Sequence, residues 1–339
     1  MKLSLKFLVL TLTFYGMVAQ TASALITIET VPVGNAGNAN YYPGYGAVGY
    51  DYSIGKYEVT LNQYTAFLNA VGATDSYGLY NAGMSTDLNI AGISRTGVSG
   101  SYNYSVIGSG ARPVTYVSWY DSARFVNWLH NGQQTGLQNA STTEQGVYTL
   151  NGAVSGIITR NSNLGWTYGL PSEDEWFKAA YYDQSMNSGI GGYWMYADRN
   201  SDLPHFWVGY RRSNANYFLD DFNPSGINNG YYLSRSPIYS VSEQYLTDVG
   251  VIGVDSFYGT RDQGGNVWEW NDAVIGLERG LRGGSWADGI NDQEFAVSNR
   301  SRNNASEGST VGFRIVIVPE PSVIGLMALG VVLLVRKRK

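Results

Sequence analysis

The apolar positions of the chain follow two regimes. In the first half they recur at helical spacing in a few short runs. In the second half they form brief stretches broken by glycine and asparagine. Leu61, Tyr64, Leu68 and Val71 share one helical face, with Gly72 as the stop. Thr60 and Gln63 form a capping box at its start, each side chain satisfying an otherwise orphan backbone N–H. Ser122, Phe125, Val126 and Leu129 predict a second helix, which Ser118 can cap and Asn131-Gly132 ends. Ser172 and Glu175 form a further capping box, and Pro171 disfavours any earlier helical turn. Residues 26–33, 57–59 and 113–117 read as extended, as do 267–270, 281–286 and 312–318. Residues 35–49 read as a loop. Residues 72–110 lack sustained periodicity and read as a long surface excursion with a short hairpin near 102–106. Residues 133–165 read as a polar insertion with a hairpin around 147–158. No repeat or linker divides the body, so one domain with few helices and much irregular structure is expected.

The two ends carry a different pattern. Lys2 and Lys6 precede an almost wholly apolar stretch over 7–19, and Ala22-Ser23-Ala24 follows with small side chains. This order is that of a secretory signal over 1–24, and the apolar run is too short to span a membrane as a helix. At the other end, 319–339 opens with Pro319-Glu320-Pro321, continues through an uncharged apolar run over 323–335 and closes on Arg336-Lys337-Arg338-Lys339. An apolar run before a basic tail is a stop-transfer pattern. Pro-Glu-Pro in front of it resembles the PEP-CTERM sorting signal. That resemblance implies handling by an exosortase, after a signal peptidase, in a Gram-negative bacterium, with transient anchoring in the inner membrane. An ordinary C-terminal anchor is the alternative. Either way the body, 25–318, is expected outside the cytoplasm, in the cell envelope or extracellular matrix.

Charge and composition narrow the chemistry. The chain carries 22 Lys and Arg against 27 Asp and Glu; losing Lys2, Lys6 and the four basic tail residues would leave 16 against 27, a net of −11. Such a surface repels phosphate backbones, so nucleic acid is not an expected partner. Cysteine is absent, which excludes disulfides, a thiolate nucleophile and a thiolate metal site. His130 and His205 are the two histidines, too few for a three-histidine metal centre. Abundant glycine and tyrosine with sparse charge suit a loop-rich globule.

Five segments in order resemble the formylglycine-generating, or sulfatase-modifying, enzyme family. They are Gly55-Lys56-Tyr57-Glu58-Val59-Thr60; Arg112-Pro113-Val114 with Val117-Ser118-Trp119; Gly169-Leu170-Pro171-Ser172-Glu173-Asp174-Glu175-Trp176; Gly265-Asn266-Val267-Trp268-Glu269-Trp270; and Leu281-Arg282-Gly283-Gly284-Ser285-Trp286, closing on Gly312-Phe313-Arg314. The resemblance implies an α+β fold related to C-type lectins, with little regular secondary structure. The residues also have a structural reading: the tryptophans fill a core, and Arg282 and Arg314 brace loops by donating to backbone carbonyls.

The resemblance also implies an activity that this chain departs from. In the family, a pair of cysteines holds copper late in the chain. Residues 295–303 correspond, and there Ser298 and Ser301 offer hard, neutral hydroxyls with no affinity for a soft ion. Neither a copper nor an iron centre is therefore expected. The family also binds calcium around its Gly-Asn-x-Trp-Glu motif, which implies ligands among Asp262, Gly265, Val267 and Glu269, with Asn216 and Tyr217 matching the start of a second site. Hard oxygen donors suit Ca²⁺. The alternative is that Glu269 pairs with an arginine such as Arg282.

Two function classes remain. One is a non-catalytic surface or matrix protein whose Tyr- and Asn-rich loops at 35–52, 72–110 and 187–245 bind a polysaccharide or protein ligand. The other is an enzyme of the same family with a divergent, cysteine-free chemistry, drawing on Asp121, Glu173, Asp174, Glu175, Glu269 or Asp272.

Overall fold

A computed structural model describes residues 25–41, 44–161, 168–201, 215–220, 229–289 and 296–318. Both terminal patterns, His205 and Phe295 lie outside the described residues. Among the described residues no helix is long and apolar enough to cross a membrane. The architecture is α+β with little regular secondary structure, as expected.

The three helices announced by capping signals form where the local chemistry places them. Helix α1 (Leu61–Val71) starts at Thr60, whose side chain accepts from the Gln63 N–H while Gln63 reaches back to the Thr60 N–H. A short helix α2 (Gly83–Thr86) follows. Helix α3 (Trp119–His130) is capped by Ser118, with Asp121 completing the box. Helix α4 (Glu173–Tyr181) is capped by Ser172 and Glu175. The apolar face of α1 packs on α3 through Phe67, whose ring lies 5.4 Å from Phe125 and 5.3 Å from Trp128.

Two four-stranded sheets frame these helices. The first runs in the order β1 (Thr30–Val33), β2 (Tyr52–Gly55), β14 (Val316–Ile317), β5 (Tyr168–Gly169), every pair antiparallel. The second runs β12 (Ser301–Asn303), β11 (Glu278–Arg282), β10 (Trp268–Ile275), β13 (Val311–Gly312). Strand β10 lies antiparallel to β11 and parallel to β13. Three hairpins complete the fold: β3 (Ile93–Thr96) with β4 (Asn103–Val106), β6 (Tyr182–Asp183) with β7 (Gly192–Tyr193), and β8 (Phe218–Asp220) with β9 (Asn229–Tyr231). The first of these is the hairpin expected near 102–106.

Several expectations from the sequence are corrected. Residues 72–110 are not a surface excursion, because Leu79, Tyr80, Met84, Ile93 and Tyr104 join the main core. Residues 147–158 form turns rather than a hairpin. There Asn127 replaces a strand partner: its side chain donates to the carbonyls of Thr143 (2.8 Å) and Tyr148 (2.9 Å) and accepts from the Tyr148 N–H. Residues 57–59 follow the strand β2 rather than end one. Strand β11 ends at Arg282, because Gly283 and Gly284 both adopt positive φ. The stretch 312–318 divides between β13 and β14, which belong to different sheets.

Candidate functional site

Strand β10 carries Glu269 between two buried tryptophans, so its carboxylate enters the core with no water to solvate it. Arg314 meets it there. The guanidinium Nε donates to Oε2 at 2.5 Å and Nη2 to Oε1 at 2.6 Å, and neither side chain is exposed. The Trp176 indole also donates to Oε2, at 2.6 Å. Arg282 stands opposite Glu269 in the β10–β11 register but pairs with Glu173, at 2.7 Å. Both arginines also brace backbone. Arg314 donates to the carbonyls of Gly55, Lys56 and Arg261, and Arg282 to those of Val297 and Asn299.

The other proposed acid–base carboxyls are likewise held by structural partners. Asp121 caps α3, where burial pushes it up to about 7 against the lowering effect of its Ser118 hydrogen bonds. Glu173 also pairs with Arg300 at 2.5 Å, and Asp174 accepts from the Gly46 N–H at 2.8 Å. Glu175 binds Arg160 and the Tyr50 hydroxyl. Its pKa stays below the usual range: burial raises it, and Arg160 with these hydrogen bonds more than offsets the rise. Asp272 pairs with Arg160 and accepts from the Tyr148 hydroxyl at 2.8 Å. Glu173, Asp174 and Glu175 are consecutive in the first turn of α4 and Glu175 shares Arg160 with Asp272, whereas Asp121 stands apart at the start of α3.

The sequence reading missed a second acidic pair beside Arg314. Glu58 is buried; its Oε1 accepts from the Asn266 amide at 3.1 Å and its Oε2 has no hydrogen-bond partner. Burial and the charge of Asp262 raise its pKa well above the carboxylate range. Asp262 accepts from the Gly250 N–H at 2.5 Å and sits in the left-handed region at φ 59°. It lines a small polar cleft with Tyr196, Asp198, Thr260, Gln263 and Gly264, and desolvation pushes it up to about 7. Glu58 stood in the first of the five segments, but nothing local marked it as facing Asp262.

At Glu269 this arrangement leaves no oxygen free for calcium. Both Glu269 oxygens are taken by a guanidinium, so a cation there would face Arg314 at close range. The Asn216 side chain donates to the Tyr245 carbonyl and the Asn266 side chain, Tyr217 is buried in an apolar cluster, and Val267 packs against Ile90 and Trp286. The Gly265 N–H donates to the Gly283 carbonyl at 2.7 Å, a bond that does not involve its own carbonyl oxygen, the atom a cation would take. Among the described residues no three His, Asp or Glu side chains are placed to hold a metal ion. Ser298 is exposed in a turn, and Ser301 lies in β12 opposite Leu281.

A different kind of surface lies on the arm over 229–245. Tyr245 stacks on Trp286 with centroids 4.7 Å apart and planes 4° from parallel. Tyr239 stacks on Tyr245 at 5.8 Å and 16°, and its hydroxyl donates to Asn89. Tyr231 packs against the column, tilted 45° to Tyr245 at 4.5 Å and edge-on to Tyr239 at 6.1 Å. Tyr239 is 49% exposed, and Leu233, Ile238 and Val241 are exposed on the same arm. By contrast, the expected loop at 35–52 packs on its own scaffold: the Tyr41 and Tyr45 rings lie 5.7 and 6.0 Å from Phe177.

Among solved structures, the chain resembles CarF (21% identity, TM-score 0.48, covering 87% of this chain and 99% of that one). It also resembles Treponema denticola variable protein 1 (19%, 0.47, 88% and 97%) and PvdO from Pseudomonas aeruginosa (16%, 0.40, 86% and 91%). No curated protein matches the sequence. The sulfatase-modifying factor enzyme 1-like domain matches over residues 22–318, which includes the whole body, and the chain belongs to that family.

Proposed function

We propose that this protein is an exported surface or matrix protein that uses the family scaffold to bind a ligand and does not catalyse thiol oxidation. The observation that carries this reading is the aromatic column of Tyr239, Tyr245 and Trp286, which ends in an exposed ring on an arm rich in exposed apolar side chains. A flat ring held by stacking and by a hydroxyl bond loses little freedom on binding, which suits a polysaccharide or a protein surface. Without cysteine the family's copper pair cannot form. The terminal patterns support passage through a signal peptidase and an exosortase, with the body in the cell envelope or matrix. Binding of the mature protein to a polysaccharide and protein array tests the reading. Tyr239→Ala should remove the signal while leaving the thermal midpoint in place; a variant that binds like the wild type would refute it.

A second reading, an enzyme with cysteine-free chemistry, draws on Asp262. A carboxyl with pKa near 7 on a cleft wall is the kind of group that general acid–base catalysis uses. A bell-shaped pH–rate profile lost in Asp262→Asn would favour it.

A further inference from the structure

Arg314 has five N–H groups, and all five are engaged: two by Glu269 and one each by the carbonyls of Gly55 (2.9 Å), Lys56 (3.1 Å) and Arg261 (2.9 Å). It has no donor left for Glu58 or Asp262. The buried centre thus places three carboxyl groups, those of Glu58, Asp262 and Glu269, around one guanidinium whose donors serve, of the three, Glu269 alone. The uncompensated oxygen is specific: Oε2 of Glu58, buried and without a hydrogen-bond partner. The charge that acts most strongly on Glu58 is that of Asp262. Asp262 in turn opens on the cleft, whose wall includes a further carboxyl, Asp198, and the polar side chains of Thr260 and Gln263. Arg261 also lines the cleft, but its guanidinium is drawn away to Asp255 and the Gly250 carbonyl.

We propose that this cleft takes the ammonium group of an organic ligand, seated against Asp262 with the Glu58 carboxyl behind it. An ammonium supplies three donors to a site that is short of donors and long on acceptors. A metal ion fits less well, because it needs several ligands converging on one point, and no such set of three occurs among the described residues. The site is independent of the aromatic column, so either reading can fail alone.

Two sources of a ligand ammonium are tested together. Isothermal titration of the mature protein uses a glucosamine trimer and Nα-acetyl-lysine amide, each against its N-acetylated counterpart, with calcium chloride as a separate arm. At least one amine should bind, and its acetylated form should bind about ten-fold more weakly or not at all. Glu58→Gln keeps an acceptor for the Asn266 amide and removes the ionisable group. It should weaken amine binding, because the side chain at 58 can no longer ionise to balance the ammonium, and leave the thermal midpoint of the ligand-free protein in place. Asp262→Asn should abolish binding. The proposal is overturned if neither amine outbinds its acetylated form. It is equally overturned if calcium binds and Glu58→Gln abolishes that binding, which would make this a metal site.

Discussion

Glu269 and Arg314 lie 45 residues apart in sequence and form a two-pronged ion pair at 2.5 and 2.6 Å with no solvent contact. The pair joins the two sheets. Glu269 belongs to β10 of one sheet, and Arg314 anchors the carbonyls of Gly55 and Lys56 at the end of β2 in the other. Removing one member leaves a buried charge with no partner, which costs far more than the pair itself contributes.

Glu269→Gln should therefore lower the unfolding free energy by about 3–5 kcal/mol in urea titration. Chelator should leave the wild-type thermal midpoint unchanged, because Arg314 already neutralises Glu269. A drop on adding chelator, abolished in Glu269→Gln, would show that an ion supports this carboxylate after all.

Gly265 should tolerate no side chain. Its φ is +79°, and a Cβ would lie 2.4 Å from the Asn216 carbonyl oxygen. That oxygen already accepts from the Asn266 N–H at 2.7 Å, so it cannot move away freely. Gly265→Ala should destabilise by roughly 1–3 kcal/mol. A wild-type midpoint in this variant would mean that the segment can be rebuilt.

Asp121 should make the fold less stable as pH rises. Burial lifts its folded pKa from 3.8 to about 7, so the folded state keeps a proton that the unfolded chain has lost. Stability contributed by this group is fully present below the unfolded value and is lost as pH rises to the folded one. Asp121→Asn retains an acceptor for the Ser118 N–H and hydroxyl and removes the titration. Thermal melts across that window should fall less steeply in the variant than in the wild type. Parallel curves would show that Asp121 does not carry the effect.

Export makes a prediction of its own. Mass analysis of the protein isolated from its native envelope should find a chain that begins near Leu25 and lacks the segment after Pro321. Retention of Arg336 to Lys339 would indicate a simple membrane anchor instead.

The sequence by itself determined the features that depend on neighbours along the chain. The capping boxes of Thr60 with Gln63 and of Ser172 with Glu175 close within three residues, so their geometry needs no tertiary partner. The family motifs likewise marked the scaffold, and the cysteine count settled the absence of thiolate chemistry. What the tertiary structure decided is which charge meets which. Glu269 was open to calcium or to Arg282, and it is Arg314 that reaches it. Glu173 instead takes Arg282, 109 residues away. Glu58 met Asn266 across 208 residues, beside an aspartate that no local pattern linked to it. Residues 72–110 showed no periodicity because their apolar groups enter the core from turns and a short hairpin. In each case the reason is the same. Local hydrogen bonds are fixed by chain geometry, whereas the partner of a buried charge is fixed by which strands and loops the packed core brings together.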